Sequence, residues 1–270
     1  MHSATFAVLP LSFVGSAGER AIGTGFLWRH NREWWLITNW HNVTGVRPDN
    51  RTFNGGFVPV SLEVTFKYYT QKPNENGEYR IGSLNATYPL YRDNIPLWVE
   101  HDAGYVIDCV ALHIEIDQAD LFAGRAINEI PHLEANYVSQ VGEEVFVVGY
   151  PRGMTGQGAT PIWKRGSIAS EPALNQDHLP LVLIDTATRE GMSGSPVFVR
   201  HHGIYFGGPE LTDESSIGTV EAFFGVYSGR IGEDEMGVQL GRVWKAPVVD
   251  QIIAVQAPGK HPLDIVYPVG

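Results

Sequence analysis

The stretch Gly191-Met192-Ser193-Gly194-Ser195-Pro196 constrains the chemistry and the fold of this chain more than any other. A serine nucleophile needs a tight turn that exposes its oxygen and directs backbone N–H groups at a developing oxyanion. Gly191 lets the backbone approach closely and adopt an unusual φ, and Ser193 supplies both an Oγ and an N–H. A Gly/Ser-rich surface turn without chemistry is the alternative interpretation of this stretch taken alone.

A proton acceptor for that serine is offered by His41 in the stretch Thr38-Asn39-Trp40-His41. This stretch follows directly on an apolar segment at 34–38 that we predict as a strand, so the imidazole would be held by a rigid element. It could take the serine proton and return it to a leaving amine. A histidine that is merely packed beside aromatic neighbours is the alternative, and for a lone histidine the more common one.

The imidazole in turn needs a carboxylate to orient it, and Asp108 is the candidate that we favour. It stands at the start of the apolar run 109–112, where a buried acid would fix the imidazole tautomer and stabilise the imidazolium. An acid at an exposed strand edge is the alternative reading. Asp102, six residues earlier, is the rival candidate, but it does not adjoin the apolar run.

Short strand-like segments separated by Pro, Gly and Asn clusters dominate the chain. Many short strands of this kind predict an all-β sandwich or barrel. The predicted strands are 5–9, 25–28, 34–38, 62–69, 105–116, 144–149, 163–169, 181–186, 196–200, 222–227 and 237–243.

Helical patterns are scarce. Pro247 suits a first helical position and is followed by apolar residues on one face, with Pro258-Gly259 as the expected stop. A weaker helix is predicted over 117–126. The long polar segments 51–100 and 201–216 are predicted as excursions. We expect the segments between His41 and Asp108 and between Val199 and Ala222, which contain them, to flank the cleft and restrict it to few substrates, so that deleting either leaves the fold intact.

Composition excludes several classes of protein. The chain has 270 residues, of which 43% are hydrophobic and 18% charged, which excludes wholesale disorder, collagen and a long coiled coil. Its net charge of −11, without any Lys/Arg run, argues against nucleic acid or an anionic membrane as partner. The single cysteine, Cys109, permits no internal disulfide and no cysteine-built zinc site. We expect no metal, no cofactor, no secretory signal and a cytoplasmic location.

The motifs around His41, Asp108 and Ser193, in this order along the chain, resemble those of the chymotrypsin-like serine peptidases. Among them, the chain is most similar to the HtrA-type and other bacterial trypsin-like branches. The resemblance spans about residues 5–255. It is carried by the segments 23–27, 38–41, 108–112, 141–151, 185–193 and 225–229.

The resemblance implies a trypsin-like fold of two antiparallel six-stranded β-barrels with a short C-terminal helix. The expected N-terminal barrel, residues 1–125, carries His41 and Asp108. The expected C-terminal barrel, residues 126–270, carries Ser193 and the helix, and the two form one peptidase unit. The implied reaction is peptide-bond hydrolysis, in which Ser193 attacks, His41 moves protons and Asp108 orients it. The N–H groups of Gly191 and Ser193 would hold the oxyanion.

The chain departs from secreted members of the family at Met192. There, an aspartate before the nucleophile pairs with a new N-terminal amine and so forms the oxyanion hole. Nothing near Met1 resembles the start of those enzymes. We therefore expect a loop that is either constitutively ordered or switched by an activating protein partner or by the chain's own long segments.

The sequence constrains the substrate preference less than it constrains the candidate catalytic residues. By resemblance, the substrate-binding residues are Ala187, Thr188, Tyr227, Ser228 and Arg230. A small, uncharged Ala187 at the pocket floor argues against a preference for Lys or Arg. Arg230 could receive a polar or acidic side chain, and Glu190 would oppose that. The alternative is that both charged residues simply face water.

Three classes of function are therefore weighed: a serine endopeptidase, a non-catalytic module that binds peptides along strand 222–229, and a serine esterase or transferase on the same scaffold. A Ser193→Ala substitution separates the second from the others. Turnover of esters without turnover of peptides identifies the third.

Overall fold

Strands dominate the computed structural model, which describes residues 2–69, 75–76, 81–116, 125–205, 216–231 and 239–267. The strands are β1 (Val8–Gly15), β2 (Arg20–His30), β3 (Glu33–Thr38), β4 (Pro59–Tyr69), β5 (Ile81–Pro89), β6 (Tyr91–Arg92), β7 (Ile95–Pro96), β8 (Trp98–Glu100), β9 (Val110–Ile114), β10 (Glu144–Gly149), β11 (Ile162–Ile168), β12 (Leu181–Asp185), β13 (Pro196–Tyr205), β14 (Ser216–Arg230), β15 (Leu240–Lys245) and β16 (Ala257–Pro258). The α-helices are α1 (Trp40–Thr44), α2 (Pro247–Val255) and α3 (Pro262–Val266). Single 3₁₀ turns lie at Ser3–Phe6, Gly104–Val106, Ile127–Glu129, Pro151–Gly153 and Gln157–Ala159.

The first sheet has eight strands in the order β16-β8-β9-β3-β2-β1-β4-β5. Its apolar side chains form a buried cluster that includes Phe13, Leu27 and Trp40. The sheet exceeds the expected six strands because β8 and β16 extend one edge. It places α1 directly after β3, which is where the sequence carries its histidine.

The segment 51–100 is not a dispensable excursion, and that expectation is wrong. β4 and β5 pair along their whole length, and Leu62, Val64 and Phe66 are buried in the first sheet's core. These three residues alternate with polar ones, so a single face of β4 is apolar. Deleting the segment would remove core residues as well as surface loops.

The second sheet closes into a six-stranded barrel in the order β10-β11-β12-β15-β14-β13. Valines from neighbouring strands, among them Val145, Val182 and Val243, fill its interior. An all-β fold of two antiparallel sheets with a short C-terminal helix is therefore confirmed.

Local boundaries differ from the sequence expectations in instructive ways. The predicted strand 105–116 begins only at Val110, because Gly104–Val106 forms a 3₁₀ turn in which Gly104 has a φ of +68°. Helix α2 begins at Pro247 as predicted and ends at Val255, where Gln256 takes a left-handed conformation. Most of the predicted helix 117–126, and residues 206–215 of the second polar segment, lie outside the described residues.

Two of the contacts that cross between the halves of the chain involve β16 and His2. The small strand β16 pairs with β8 of the first sheet, although it follows the second barrel in sequence. In the other direction, His2 Nε2 lies 2.8 Å from Glu221 Oε2 on β14. The division at residue 125 stays a prediction. Within the described part of the chain, no helix is both long enough and apolar enough to cross a bilayer.

Candidate active site

His41 lies in α1, immediately after β3, and its ring is held by Asp108. His41 Nδ1 is 2.7 Å from Asp108 Oδ2, and the His41 backbone N–H donates to Oδ1 at 2.9 Å. Asn39 Nδ2 donates to the Asp108 carbonyl oxygen at 2.7 Å, which ties the two segments together a second time. Since the carboxylate accepts from Nδ1–H, Nε2 is left as the proton acceptor of the imidazole.

Asp108 is buried, and a third donor completes its surroundings. Its exposure is 2%, and Ser228 Oγ donates to Oδ2 at 2.6 Å. Burial by itself would raise the pKa of Asp108. The charge of His41 and the hydrogen bonds from His41 and Ser228 outweigh burial and hold that pKa below its ordinary value. The carboxyl group is therefore ionised and available to stabilise an imidazolium.

Asp102, the rival candidate, lies elsewhere. Its side chain is 71% exposed and pairs with His101 Nδ1 at 2.6 Å. The structure thus brings Asp108 to His41 and leaves Asp102 at the surface.

Ser193 sits in a turn whose shape depends on two glycines. Gly191 and Gly194 each have a φ of +86°. A Cβ on Gly191 would come within 2.6 Å of the Tyr150 carbonyl oxygen, so a side chain would be both strained and crowded there. The Ser193 carbonyl oxygen accepts from Thr24 N–H at 2.9 Å, which fastens the turn to β2 of the first sheet.

The N–H groups predicted to hold an oxyanion are presented by the same turn. Arg152 N–H donates to the Glu190 carbonyl oxygen at 2.6 Å. Because C=O and N–H of one trans peptide point in opposite directions, this bond turns the Gly191 N–H away from Arg152. Neither Gly191 N–H nor Ser193 N–H has an acceptor among the described residues.

A cavity of about 320 Å³ joins the two halves of the site. His41, Ser193 and Gly191 all line it, together with Asn42 and Glu190. Asn42 Nδ2 donates to the Ser193 carbonyl oxygen at 3.1 Å, a direct bond between the histidine helix and the nucleophile turn. The predicted base and the predicted nucleophile therefore face one cleft.

Met192, next to Ser193, is fully buried. Its side chain belongs to the apolar interior of the second barrel, with Val145, Val147 and Tyr227. The position before the nucleophile, which is an aspartate in the secreted peptidases that the chain resembles, is therefore occupied by a buried apolar side chain. This side chain packs in the barrel and needs no N-terminal amine as partner.

The predicted substrate-binding residues fall into different environments. Thr188 and Tyr227 are buried, and their hydroxyls are hydrogen-bonded to each other. Ala187 and Arg230 are half-buried. The hydroxyl of Ser228 donates to Asp108, so this side chain supports the histidine, and a role of Ser228 in substrate binding stays a prediction.

Sequence reasoning missed several supporting residues. The hydroxyl of Ser228 and the backbone N–H groups of Thr24 and Arg152 all hold parts of the site. For Ser228, the sequence offers one signal, the alternation of side chains along β14. Because Tyr227 points into the barrel interior, Ser228 points to the opposite face.

One cluster elsewhere has the composition of a metal site. Ligand atoms of His2, His132 and Glu221 lie within 4.8 Å of one another. However, Ala4 N–H donates to His2 Nδ1 at 3.2 Å, and Arg200 Nε donates to Glu221 Oε1 at 2.7 Å. His2 Nε2 then carries the proton and donates to Glu221, so hydrogen bonds occupy the ring nitrogens of His2 and the carboxylate of Glu221.

Comparison with known proteins places this geometry in a family. The family model of the trypsin-like peptidase domain matches residues 23–204. The serine endoprotease from Yersinia pestis is similar in fold, with 14% identity and a TM-score of 0.53 over 94% of this chain and 64% of that one. This chain therefore spans less than two thirds of that protein.

Two further solved structures are similar over nearly their whole length. The thermostable serine protease AL20 from an extremophilic microorganism has 12% identity and a TM-score of 0.52, over 94% of this chain and 99% of that one. Protease Anisep from Arthrobacter nicotinovorans has 14% identity and a TM-score of 0.51, over 95% and 97%. A search of curated protein sequences finds no match. These structural likenesses show the fold, and the family model, which matches more than half of the chain, shows that it belongs to the trypsin-like peptidase domain family.

Proposed function

We propose that the chain is a serine endopeptidase that hydrolyses peptide bonds through an acyl-enzyme intermediate. The observation that carries this proposal is the hydrogen-bonded series Ser228–Asp108–His41, which ends at a cleft lined by Ser193. A buried carboxylate, an oriented imidazole and a serine beside unpaired N–H groups are the parts that acyl transfer requires.

In the first half of the reaction, Ser193 Oγ attacks the substrate carbonyl carbon while His41 Nε2 accepts its proton. The N–H groups of Gly191 and Ser193 donate to the oxyanion of the tetrahedral intermediate. The imidazolium then passes its proton to the leaving amine as the C–N bond breaks. In the second half, His41 activates a water that hydrolyses the ester and regenerates the Ser193 hydroxyl.

Several contacts support an oxyanion hole that is assembled without an activating cleavage. The Glu190 carbonyl oxygen is held by Arg152 N–H, and Thr24 Oγ1 donates to the Gly191 carbonyl oxygen at 2.7 Å. Met192 anchors the turn in the barrel core. Of the two expectations from the sequence, these contacts favour the constitutively ordered loop. The activating partner, the cytoplasmic location and the role in processing few substrates stay predictions.

The test is intact-mass analysis after incubation with a small alkyl fluorophosphonate. We expect one stoichiometric adduct on the unmodified chain, and none on Ser193→Ala or His41→Ala. Ser16→Ala removes an exposed serine in a turn and is the matched control, so it should label like the unmodified chain.

A protein that is folded by circular dichroism and stays unlabelled both alone and with candidate partner proteins would contradict the proposal. An adduct on Ser193 combined with turnover of esters and no cleavage of any peptide in a mixed-sequence library would replace it by esterase or transferase activity. If labelling requires a candidate partner protein, the preassembled oxyanion hole is wrong and the partner-switched loop is right.

A further inference from the structure

We propose that the side chain of Tyr227 fills the primary pocket beside Ser193, so that the enzyme cuts after residues with small side chains, alanine or glycine. This inference rests on the proposed endopeptidase function and adds its substrate class. Four observations on the position and the surroundings of Tyr227 support this inference.

The first observation is that Tyr227 adjoins the nucleophile turn. Gly194 N–H donates to the Tyr227 carbonyl oxygen at 2.9 Å, and Tyr227 N–H donates to the Ser195 carbonyl oxygen at 2.9 Å. The two residues that follow Ser193 in the chain thus pair with β14 through this one residue. A substrate bound at Ser193 must place its side chain close to β14.

The second observation concerns the direction of the ring. Ser228 directs its hydroxyl at Asp108, toward the histidine. Since neighbouring side chains of a strand point to opposite faces, Tyr227 directs its ring the other way, into the second barrel. There it belongs to the same apolar cluster as Met192, the residue that precedes the nucleophile.

The third observation is that the ring bridges the two walls beside the turn. One wall is β14, and the other is the segment 187–191 that leads to Ser193. The Tyr227 hydroxyl is hydrogen-bonded to Thr188 Oγ1, with exposures of 1% for Tyr227 and 0% for Thr188. The space between the walls is therefore occupied by protein atoms, and neither hydroxyl is accessible to a substrate.

The fourth observation is that the ring has no room to move aside. A Cβ built on Gly241 of β15 would lie 2.6 Å from Tyr227 Cε2, so the ring is packed against that strand's backbone. Burial raises the pKa of Tyr227 to about 12, which keeps its hydroxyl neutral and able to donate. The ring is thus fixed by packing on one side and by the hydroxyl pair on the other.

In this proposal the Tyr227 ring separates the mouth of the pocket from Ala187, which the resemblance places at its floor. Arg230 is half-buried and Glu190 is exposed, and the proposed mouth receives only a methyl group or a hydrogen atom. A pocket discriminates by about 10–200-fold per misfitting methylene. Side chains as large as those of phenylalanine or lysine should therefore be rejected.

The experiment uses peptide substrates that are identical except at the residue whose carbonyl is attacked: Gly, Ala, Leu, Phe, Lys or Glu. We expect kcat/KM for the better of Ala and Gly to exceed that for Phe and Lys by at least about 10-fold. Tyr227→Val opens the pocket and should raise kcat/KM for the Phe peptide by at least about 10-fold. Tyr227→Phe keeps the ring, is the matched control, and should keep the preference for small residues.

The outcomes separate this inference from the proposed function. An adduct on Ser193 together with a preference for Phe, Leu, Lys or Glu in the unmodified enzyme overturns the closed pocket alone. Cleavage after Glu that is lost in Tyr227→Phe also overturns it, and would assign the hydroxyl pair to binding a polar side chain. Absence of both adduct and hydrolysis overturns the endopeptidase itself. If Tyr227→Val does not fold, the ranking of the unmodified enzyme and the Tyr227→Phe control decide.

Discussion

The two sheets hold their parts of the site by different means. On the side of the first sheet, His41 is fixed by side-chain hydrogen bonds to Asp108, which in turn accepts from Ser228. On the side of the second barrel, the turn around Ser193 is fixed by hydrogen bonds to its backbone atoms, from backbone and side-chain donors, and by the left-handed Gly191.

This difference predicts which kind of substitution inactivates each half of the site. The histidine side depends on the charge and the hydrogen-bond donors of a few buried polar atoms. A substitution that changes one such atom and keeps the shape of the side chain should therefore reduce activity. The nucleophile side depends on the shape of the backbone. A substitution that adds a single methyl group should therefore reduce activity although it changes no polar atom. The following predictions test this contrast, beginning with the largest expected effect.

Asp108→Asn keeps the shape of the side chain and removes the charge. We expect kcat/KM to fall by about 10⁴, because an amide cannot orient the same tautomer or stabilise the imidazolium. The measurement is hydrolysis of the best peptide substrate, with circular dichroism to verify the fold. Asp102→Asn is the control, and its exposed side chain predicts unchanged activity. A comparable loss in both variants would contradict the assignment of Asp108.

Gly191→Ala adds one methyl group to the other half. With a φ of +86° and the Tyr150 carbonyl oxygen 2.6 Å from the new Cβ, the turn must shift and displace its N–H. We expect a loss of about 10²–10³ in kcat, as for removal of one oxyanion donor. Gly18→Ala is a close control, because Gly18 has a φ of +88° and open space around its Cβ position. Unchanged kcat in Gly191→Ala would contradict a backbone-determined oxyanion hole.

Ser228→Ala removes the donor that lies behind Asp108. We expect kcat/KM to fall by about 10- to 150-fold, since a hydrogen bond to a charged group contributes about 1.5–3 kcal/mol. Ser228→Thr keeps the hydroxyl and should recover most of the activity. Unchanged kcat/KM in Ser228→Ala would contradict this role of the Ser228 hydroxyl.

Glu221→Gln tests a buried ionic cluster outside both halves of the site. We expect it to lower the free energy of unfolding by about 2 kcal/mol at pH 7 and to leave kcat unchanged. Burial opposes the charge of Glu221, but hydrogen bonds from His2 and Arg200 outweigh it and lower its pKa to about 2.

A carboxyl group with a lowered pKa contributes stability above its ordinary pKa, near 4.5, and loses that contribution as the pH falls toward 2. Urea unfolding should therefore show a gap between the unmodified chain and Glu221→Gln that narrows between pH 5 and pH 2. A gap that is constant over this range would contradict the lowered pKa.

The sequence predicted the parts of this protein that are local in the chain. The nucleophile turn is decided by Gly191 and Ser193 within three residues, and Asp108 was distinguished from Asp102 by the apolar run that follows it. Helix α2 was predicted from Pro247 and a single apolar face.

What the sequence did not predict depends on pairs that are distant in the chain. Ser228 and Asp108 are 120 residues apart, and Thr188 and Tyr227 are 39 apart, so no spacing rule links them. β5 was missed because only every second residue faces β4's apolar side, and several of those are small or polar. Such contacts arise from strand register, which tertiary packing decides.

The reciprocal attachment of the chain's two ends has a consequence for the order of folding. β16 completes an edge of the first sheet only after the second barrel has been synthesised, and His2 must wait for Glu221, 219 residues later. Contacts of such high sequence separation are formed late and slow the search for the native state. A nascent chain that has already emerged with both His41 and Asp108 therefore still lacks the strand that pairs with β8 and the partner of His2.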